Sequence, residues 1–367
     1  MKFNIQREAI LQPLSQVVGV VERRQTLPVL ANFLLVAKDG QLSVTGTDME
    51  VELVAKVAAK VEEAGETTVP ARKLVDICRA LPDGSNINFQ TEGEKVLVKA
   101  GRSRFTLSTL PASEFPSIEV AEDAQNTIQV EEKGLKRLLD KTSFAMANGD
   151  VRFYLNGLLF DIRNDLLRTV ATDGHRLALC DLHGSFAVTD KIKKIVPRKG
   201  VLELGRMLSD NDKTVGLRLG QNYIRLVHGD ITFTSKLIDG NFPEYEGVIP
   251  VAAKNTIQAD RAEMIRALQR ASILSNEKYH GVRLELTDNN MKIVAHNRDQ
   301  EEAIENIEVE QDMPNSQLGF NVTYLLDALN ALDSEQVSMA MEDPNTSCLV
   351  TEPGKDDCRH VVMPLKL

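Results

Sequence analysis

At 367 residues the chain is too long for one ordinary domain; at roughly 100–200 residues per domain, two or three are expected. Hydrophobic residues make up 43% and charged residues 26%, as in an ordinary globular chain, and no apolar run approaches the roughly 20 residues of a membrane span. A net charge of −10, no Trp and 5% aromatic residues argue against a single-strand binder built on base stacking, and against any nucleic acid unless positive charge is gathered on one surface.

The N-terminus, Met1-Lys2-Phe3-Asn4-Ile5-Gln6-Arg7-Glu8, breaks its apolar pattern with charges and does not read as a signal peptide, so the expected location is the cytoplasm. Cys78, Cys180, Cys348 and Cys358 are too few and too scattered for a disulfide framework, and no C-x-x-C pair points to zinc. No metal or cofactor is expected.

In chain order, a first helix runs from Gln6 through Ile10, Leu11, Leu14 and Val18, apolar at intervals of three and four. Strands follow at Phe33–Val36 and Leu42–Thr45, the second ending in Gly46-Thr47-Asp48. A second helix starts after Thr68-Val69-Pro70-Ala71-Arg72-Lys73-Leu74, and Phe105–Ser108 reads as a closing strand. Pro111 through Ala124 has the composition of a linker.

The same order then returns twice. A helix holding Leu135, Leu138 and Leu139 leads to strands at Gly157–Phe160 and Leu167–Ala171, ending in Ala171-Thr172-Asp173. Ile195–Val201 answers the second helix start, and Phe233–Lys236 the closing strand. Phe242 through Ala253 fits a second boundary. The third unit has Met264, Ile265 and Leu268, strands at Val282–Leu286 and Met291–Ala295, a helix after Gly319-Phe320-Asn321-Val322, and closing Val361–Pro364. Thr47, Thr172 and His296 are 125 and 124 residues apart, and Phe105, Phe233 and Val361 are 128 apart. Four echoes in register predict three copies of one α+β domain, over 1–120, 126–249 and 254–367. Three units in an arc could close by symmetric association.

Five of the six expected helices carry net positive charge. The six total +9, which leaves −19 on the remainder. One basic helix face is ordinary, but five of one sign point to a shared surface for a polyanion.

Catalytic motifs are sparse. No P-loop, G-x-G-x-x-G, H-E-x-x-H or G-x-S-x-G occurs. Ser275-Asn276-Glu277-Lys278 matches S-x-x-K without its companion motifs, so an acyltransferase or hydrolase using Ser275 and Lys278 is the alternative reading. His175, in Thr172-Asp173-Gly174-His175-Arg176-Leu177, reads as a tight turn rather than a catalytic group. The chain ends on Val361-Val362-Met363-Pro364-Leu365-Lys366-Leu367, apolar where termini are usually polar, which fits a docked strand or one wall of an adaptable groove.

Several strings together resemble the bacterial DNA sliding clamp family, the beta subunit of the replicative DNA polymerase III holoenzyme. They are Gln25-Thr26-Leu27-Pro28, Gly46-Thr47-Asp48, Val69-Pro70-Ala71-Arg72-Lys73, Gly101-Arg102-Ser103-Arg104-Phe105, Val170 through Ala178, Ile273 through Lys278 and the Val-Val-Met-Pro ending. The resemblance covers the whole chain and implies a non-enzymatic processivity factor: a head-to-tail homodimeric ring of six domains with twelve helices around its hole. Twelve helices about 10 Å wide make a circle about 38 Å across through their axes and leave about 28 Å inside, room for a hydrated duplex.

The resemblance implies duplex contacts at Arg24, Arg72, Gly149, Phe153 and Tyr154, with Arg198 and Lys199 nearby; Gly149 stands where Gln is common and Phe153 where Tyr is. It implies a partner-peptide pocket at Arg152, Leu155, Thr172, Gly174, His175, Arg176, Leu177, Pro243, Val248, Asn321, Tyr324, Ser347, Val361, Val362, Met363, Pro364 and Leu365, serving the polymerase, the clamp loader and other proteins with clamp-binding motifs. Glu246 and Gly247 stand where basic residues are familiar. It implies a subunit interface with Phe105 and Leu107 against Ile273 and Leu274, and Lys73, Arg102 and Arg104 facing Asp299, Glu301, Glu302 and Glu305.

Overall fold

One order of elements is built three times in the computed structural model, which describes residues 1–22, 27–118, 126–250 and 254–366. The first repeat runs β1 (Lys2–Gln6), α1 (Arg7–Val17), β2 (Asn32–Lys38), β3 (Gln41–Thr47), β4 (Val51–Ala58), β5 (Lys60–Glu63), β6 (Gly65–Pro70), α2 (Ala71–Ala80), β7 (Asn86–Glu92), β8 (Lys95–Ala100) and β9 (Ser103–Ser108). The second runs β10 (Asn126–Glu131), α3 (Glu132–Thr142), β11 (Gly157–Arg163), β12 (Leu166–Thr172), β13 (Arg176–His183), β14 (Ile192–Pro197), α4 (Arg198–Met207), β15 (Thr214–Leu219), β16 (Tyr223–His228) and β17 (Ile231–Lys236). The third runs β18 (Asn255–Asp260), α5 (Arg261–Ser272), β19 (Gly281–Thr287), β20 (Asn290–His296), β21 (Glu302–Glu308), β22 (Glu310–Gln311), β23 (Ser316–Asn321), α6 (Val322–Asn330), β24 (Gln336–Met341), β25 (Cys348–Thr351) and β26 (Cys358–Val362).

Local sequence accounts for the elements. β19 alternates buried Val282, Leu284 and Leu286 with partly exposed polar residues, the period of a strand with one face on a core. α5 starts where the Asp260 carboxylate accepts from the Glu263 N–H, and α6 where the Asn321 side chain accepts from the Thr323 and Tyr324 N–H groups. At Gly157 a Cβ would lie 2.5 Å from the Val196 carbonyl, so only glycine lets β11 approach β14 there.

The described residues divide into two compact units, each holding part of the central repeat: residues 1–133 with 199–237, and residues 134–198 with 238–367. The first unit holds a five-stranded sheet, β5-β1-β7-β8-β9, and an eight-stranded one, β10-β15-β16-β17-β4-β3-β2-β6. The second holds a nine-stranded sheet, β14-β11-β12-β13-β26-β25-β24-β18-β22, and a four-stranded one, β21-β20-β19-β23. The units cut across the repeats because sheets run through the joints. In the first unit β17 pairs antiparallel with β4; in the second β26 pairs antiparallel with β13. Each joint therefore takes the third strand after one repeat's first helix and the last strand of the next repeat. The remaining strands of those two kinds, β21 and β9, stand at sheet edges.

Three expectations need correction. Cys180 and Cys358 face each other across the second joint and form a disulfide, while Cys78 and Cys348 are free and buried. Local spacing could not show this, because the partners are 178 residues apart and meet only when β26 docks. The second linker is not a loose tether, since Phe242 and Tyr245 are buried in the core beneath the sheet. The closing strand of the third repeat ends at Val362, before Met363 and Pro364. No helix among the described residues is long and apolar enough to cross a membrane.

Candidate functional site

A cavity of about 220 Å³ opens in the second unit beside the β13·β26 joint. Its walls come from Arg152, Tyr154, Leu155, Thr172, Gly174, Arg176, Leu177, Pro243, Glu244, Tyr245, Val248, Val361 and Met363. Beneath it Leu159, Val170, Leu177, Leu179, Phe242, Tyr245 and Val361 pack as one apolar cluster. Water held over such a floor has few partners, so apolar side chains are favoured to displace it.

The turn between β12 and β13 shapes one wall. Asp173 Oδ1 accepts from the His175 N–H at 2.9 Å and the Arg176 N–H at 3.1 Å, and Thr172 Oγ1 donates to the Arg176 carbonyl at 2.6 Å. Gly174 takes φ +89, which a side chain would resist, and the Arg152 guanidinium lies about 3.1 Å from where its Cβ would be.

Ion pairs hold the walls. Arg152 forks onto Asp150, with Nε to Oδ1 3.0 Å and Nη2 to Oδ2 2.8 Å, and these bonds lower the Asp150 carboxyl to about 2. Arg176 bonds Asp173, Asp327 and the Phe144 carbonyl, and lies 4.5 Å over the Tyr324 ring. The Tyr245 hydroxyl donates to Asp161 at 3.2 Å, and Arg168 joins Tyr245 to Asp181, which also receives Arg359. Burial opposes the Asp161 charge, but bonds from Arg163 and Lys191 outweigh it and leave the carboxyl below its ordinary range.

Of the residues expected in a pocket, seven lie outside these walls. Val362 points into the core of the third repeat. The His175 ring stacks on Tyr324 at 6.4 Å, and its carbonyl accepts from the Met363 N–H. Asn321 is spent capping α6, and Ser347 Oγ meets Met363 Sδ at 3.2 Å. Pro364 is half-buried, and Leu365 lines a separate groove with Tyr279, Gly281 and Lys366. Conversely Tyr154, assigned to duplex contact, is a cavity wall, as are Glu244 and Tyr245, which sequence reasoning missed. The signal for Tyr245 is a pair of aromatics, Phe242 and Tyr245, within a few residues of Pro243 at the second boundary.

The expected duplex contacts are unequal. Arg24 lies outside the described residues. Arg72 is exposed on α2, with Nη2 donating to the Val21 carbonyl at 2.8 Å. Gly149 and Phe153 are exposed, and Arg198 is half-buried against the Met146 carbonyl. Lys199 is not a free cation: it bonds Glu22 at 2.8 Å and pairs with Asp48, and these bonds outweigh burial and raise its pKa.

At the edges, Ile273 is 77% exposed but Leu107 is 7% exposed, already buried within its own unit. Phe105 and Leu274 are half-buried, and Lys73, Arg102, Arg104, Asp299, Glu301 and Glu302 are exposed. Glu305 is engaged by Arg270 at 2.6 and 2.9 Å. The acyl-transfer pair is not assembled: Ser275 Oγ donates to the Ser272 carbonyl, and Lys278 lies over the Tyr279 ring.

The three repeats match, in order, family models described as the N-terminal, central and C-terminal domains of the DNA polymerase III beta subunit, over residues 1–119, 129–244 and 246–366. The chain belongs to the DNA polymerase III beta subunit family. It is 53% identical to the beta sliding clamp of Pseudomonas aeruginosa and 48% identical to that of Escherichia coli, with all of each chain covered. A crystal structure of the Pseudomonas aeruginosa sliding clamp matches over both full chains with a TM-score of 0.95 at 52% identity. One from Caulobacter crescentus matches all of this chain and 99% of the other, with a TM-score of 0.94 at 36% identity. Members of this family are DNA-replication processivity factors without catalytic activity, and the three-domain α+β architecture is the family's own.

Proposed function

We propose that the chain encircles double-stranded DNA as a head-to-tail homodimeric ring and tethers the replicative polymerase, with the cavity receiving peptide motifs of the polymerase, the clamp loader and other partners. The observation that carries this is the repeated joint. Twice within the chain a last strand docks antiparallel on the third strand of the preceding repeat, and among the described residues β9 and β21 are the last strand and third strand left without such a partner. A second copy supplies the missing partner for each, and main-chain hydrogen bonds are then completed. Arg102 and Arg104 at β9 meet Glu301 and Glu302 at β21, a complementarity that sets register. Ile273 supplies the exposed apolar anchor, with Phe105 and Leu274.

The domains extend over 1–120, 126–249 and 254–367. Arg72 and Arg198 face the phosphates, with contacts that carry no sequence information and exchange freely. The chain works in the cytoplasm without metal or cofactor. Light scattering should give twice the 40.7 kDa chain mass, and Ile273→Ala with Leu274→Ala should shift it to monomer. Protein loaded on a nicked circle should stay and should leave once the circle is linearised. Equal retention on both, or a monomeric parent protein at micromolar concentration, overturns the ring.

A further inference from the structure

We propose that the cavity selects apolar peptide motifs flanked by basic residues, through Glu244 and Glu246 at its mouth. The inference rests on the reading of the cavity as a peptide site and adds the charge of its preferred ligand.

Both arginines of the cavity are already paired. Arg152 forks onto Asp150 and bonds the Asp173 carbonyl, with its side chain 47% exposed. Arg176, with its side chain 12% exposed, spends every arm on Asp173, Asp327 and the Phe144 carbonyl. A carboxylate on an incoming peptide therefore competes with Asp150 at Arg152 and with Asp173 and Asp327 at Arg176.

The carboxylates at the mouth are in the opposite position. The Glu244 side chain is 87% exposed, and its ion-pair partner, Lys193, stands 3.9 Å away, at the limit of contact. The Glu246 side chain is 61% exposed; Arg163 and Arg168 lie 3.6 and 3.8 Å from it. Arg168 is held closer by Asp181, at 2.6 and 2.7 Å, and Arg163 shares Asp161 with Lys191. Glu244 and Glu246 flank Tyr245, whose ring is a cavity wall, and Glu246 opens the turn that carries Val248 into the same wall. A Lys or Arg beside a peptide's apolar anchors reaches two solvated carboxylates as the anchors enter, while a Glu there is repelled.

The test uses the full chain and two fluorescent peptides that end in the same pair of leucines and differ only in carrying lysines or glutamates upstream. Anisotropy at low salt should show the lysine peptide binding about three- to tenfold tighter, with the gap closing at high salt. Glu244→Lys with Glu246→Lys, both exposed, should reverse the order. Equal affinities at low salt, or an unchanged order in the double variant, overturn the charge selection while the cavity remains a peptide site. Failure of both peptides to bind overturns the peptide site itself, and the selection with it.

Discussion

The joints β4·β17 and β13·β26 use the same strands of successive repeats, yet they are built from different chemistry. Ala55 opposes Ile231 in the first, where the second sets Cys180 against Cys358. Lys56 is exposed on β4, and its counterpart on β13, Asp181, is buried between Arg168 and Arg359. Glu52 lies buried on β4 where β13 carries Leu177, a cavity wall. Topology is what the repeats share. The side chains of one joint were free to take on a cavity and the charge network beneath it, and those of the other were not used that way.

Substitutions at both joints, and reduction of the second, would break or sharpen this contrast. Asp181→Ala leaves two guanidinium groups without their shared carboxylate in a mostly buried setting, and should lower unfolding free energy by about 3–5 kcal/mol. Lys56→Ala at the matching position should stay within about 0.5 kcal/mol, and urea melts of both decide it. Reduction should weaken only the second joint, by about 2–4 kcal/mol, and Cys180→Ala should abolish the response to reductant in calorimetry.

Met363→Ala removes one cavity wall while Val361 and Val362 stay docked, so peptide affinity should fall about tenfold, roughly 1.4 kcal/mol, with an unchanged melting temperature. Apart from the Lys56→Ala control, the smallest effect belongs to Glu52. Burial raises its carboxyl in the folded state, partly offset by the Ile118 N–H and Arg225. The folded form thus holds its proton more tightly than the unfolded one, and stability falls as pH rises through the raised value. Glu52→Gln should stabilise the protein at neutral pH by up to about 1 kcal/mol and do little below the ordinary carboxylate range; an equal shift at both pH values would contradict this.

The repeat order was legible because strand and helix periods are local, and the Thr47, Thr172 and His296 positions hold their spacing through both copies. Apolar cavity walls such as Leu155 and Leu177 came from the resemblance, not from pattern, because a buried leucine in a core and one under a cavity read alike. The commitments of Lys199 to Asp48, of Glu305 to Arg270 and of Cys180 to Cys358 were illegible for a common reason. Each joins residues far apart in sequence, and nothing local marks a surface charge as already neutralised. Counting basic residues on helices therefore overstated the charge free to meet phosphate, by at least the one on Lys199.

The open pair of strands has an energetic corollary. A dimer closed through β9 and β21 contains that contact twice, and any substitution at it is present twice as well. A change worth about 1.4 kcal/mol at one contact then counts about 2.8 kcal/mol in dissociation into monomers, a hundredfold rather than tenfold. Opening a single gap breaks one contact and feels only the single increment. Dissociation and gap opening should thus respond to the same edge mutation with exponents of two and one, so their ratio counts the contacts that close the ring.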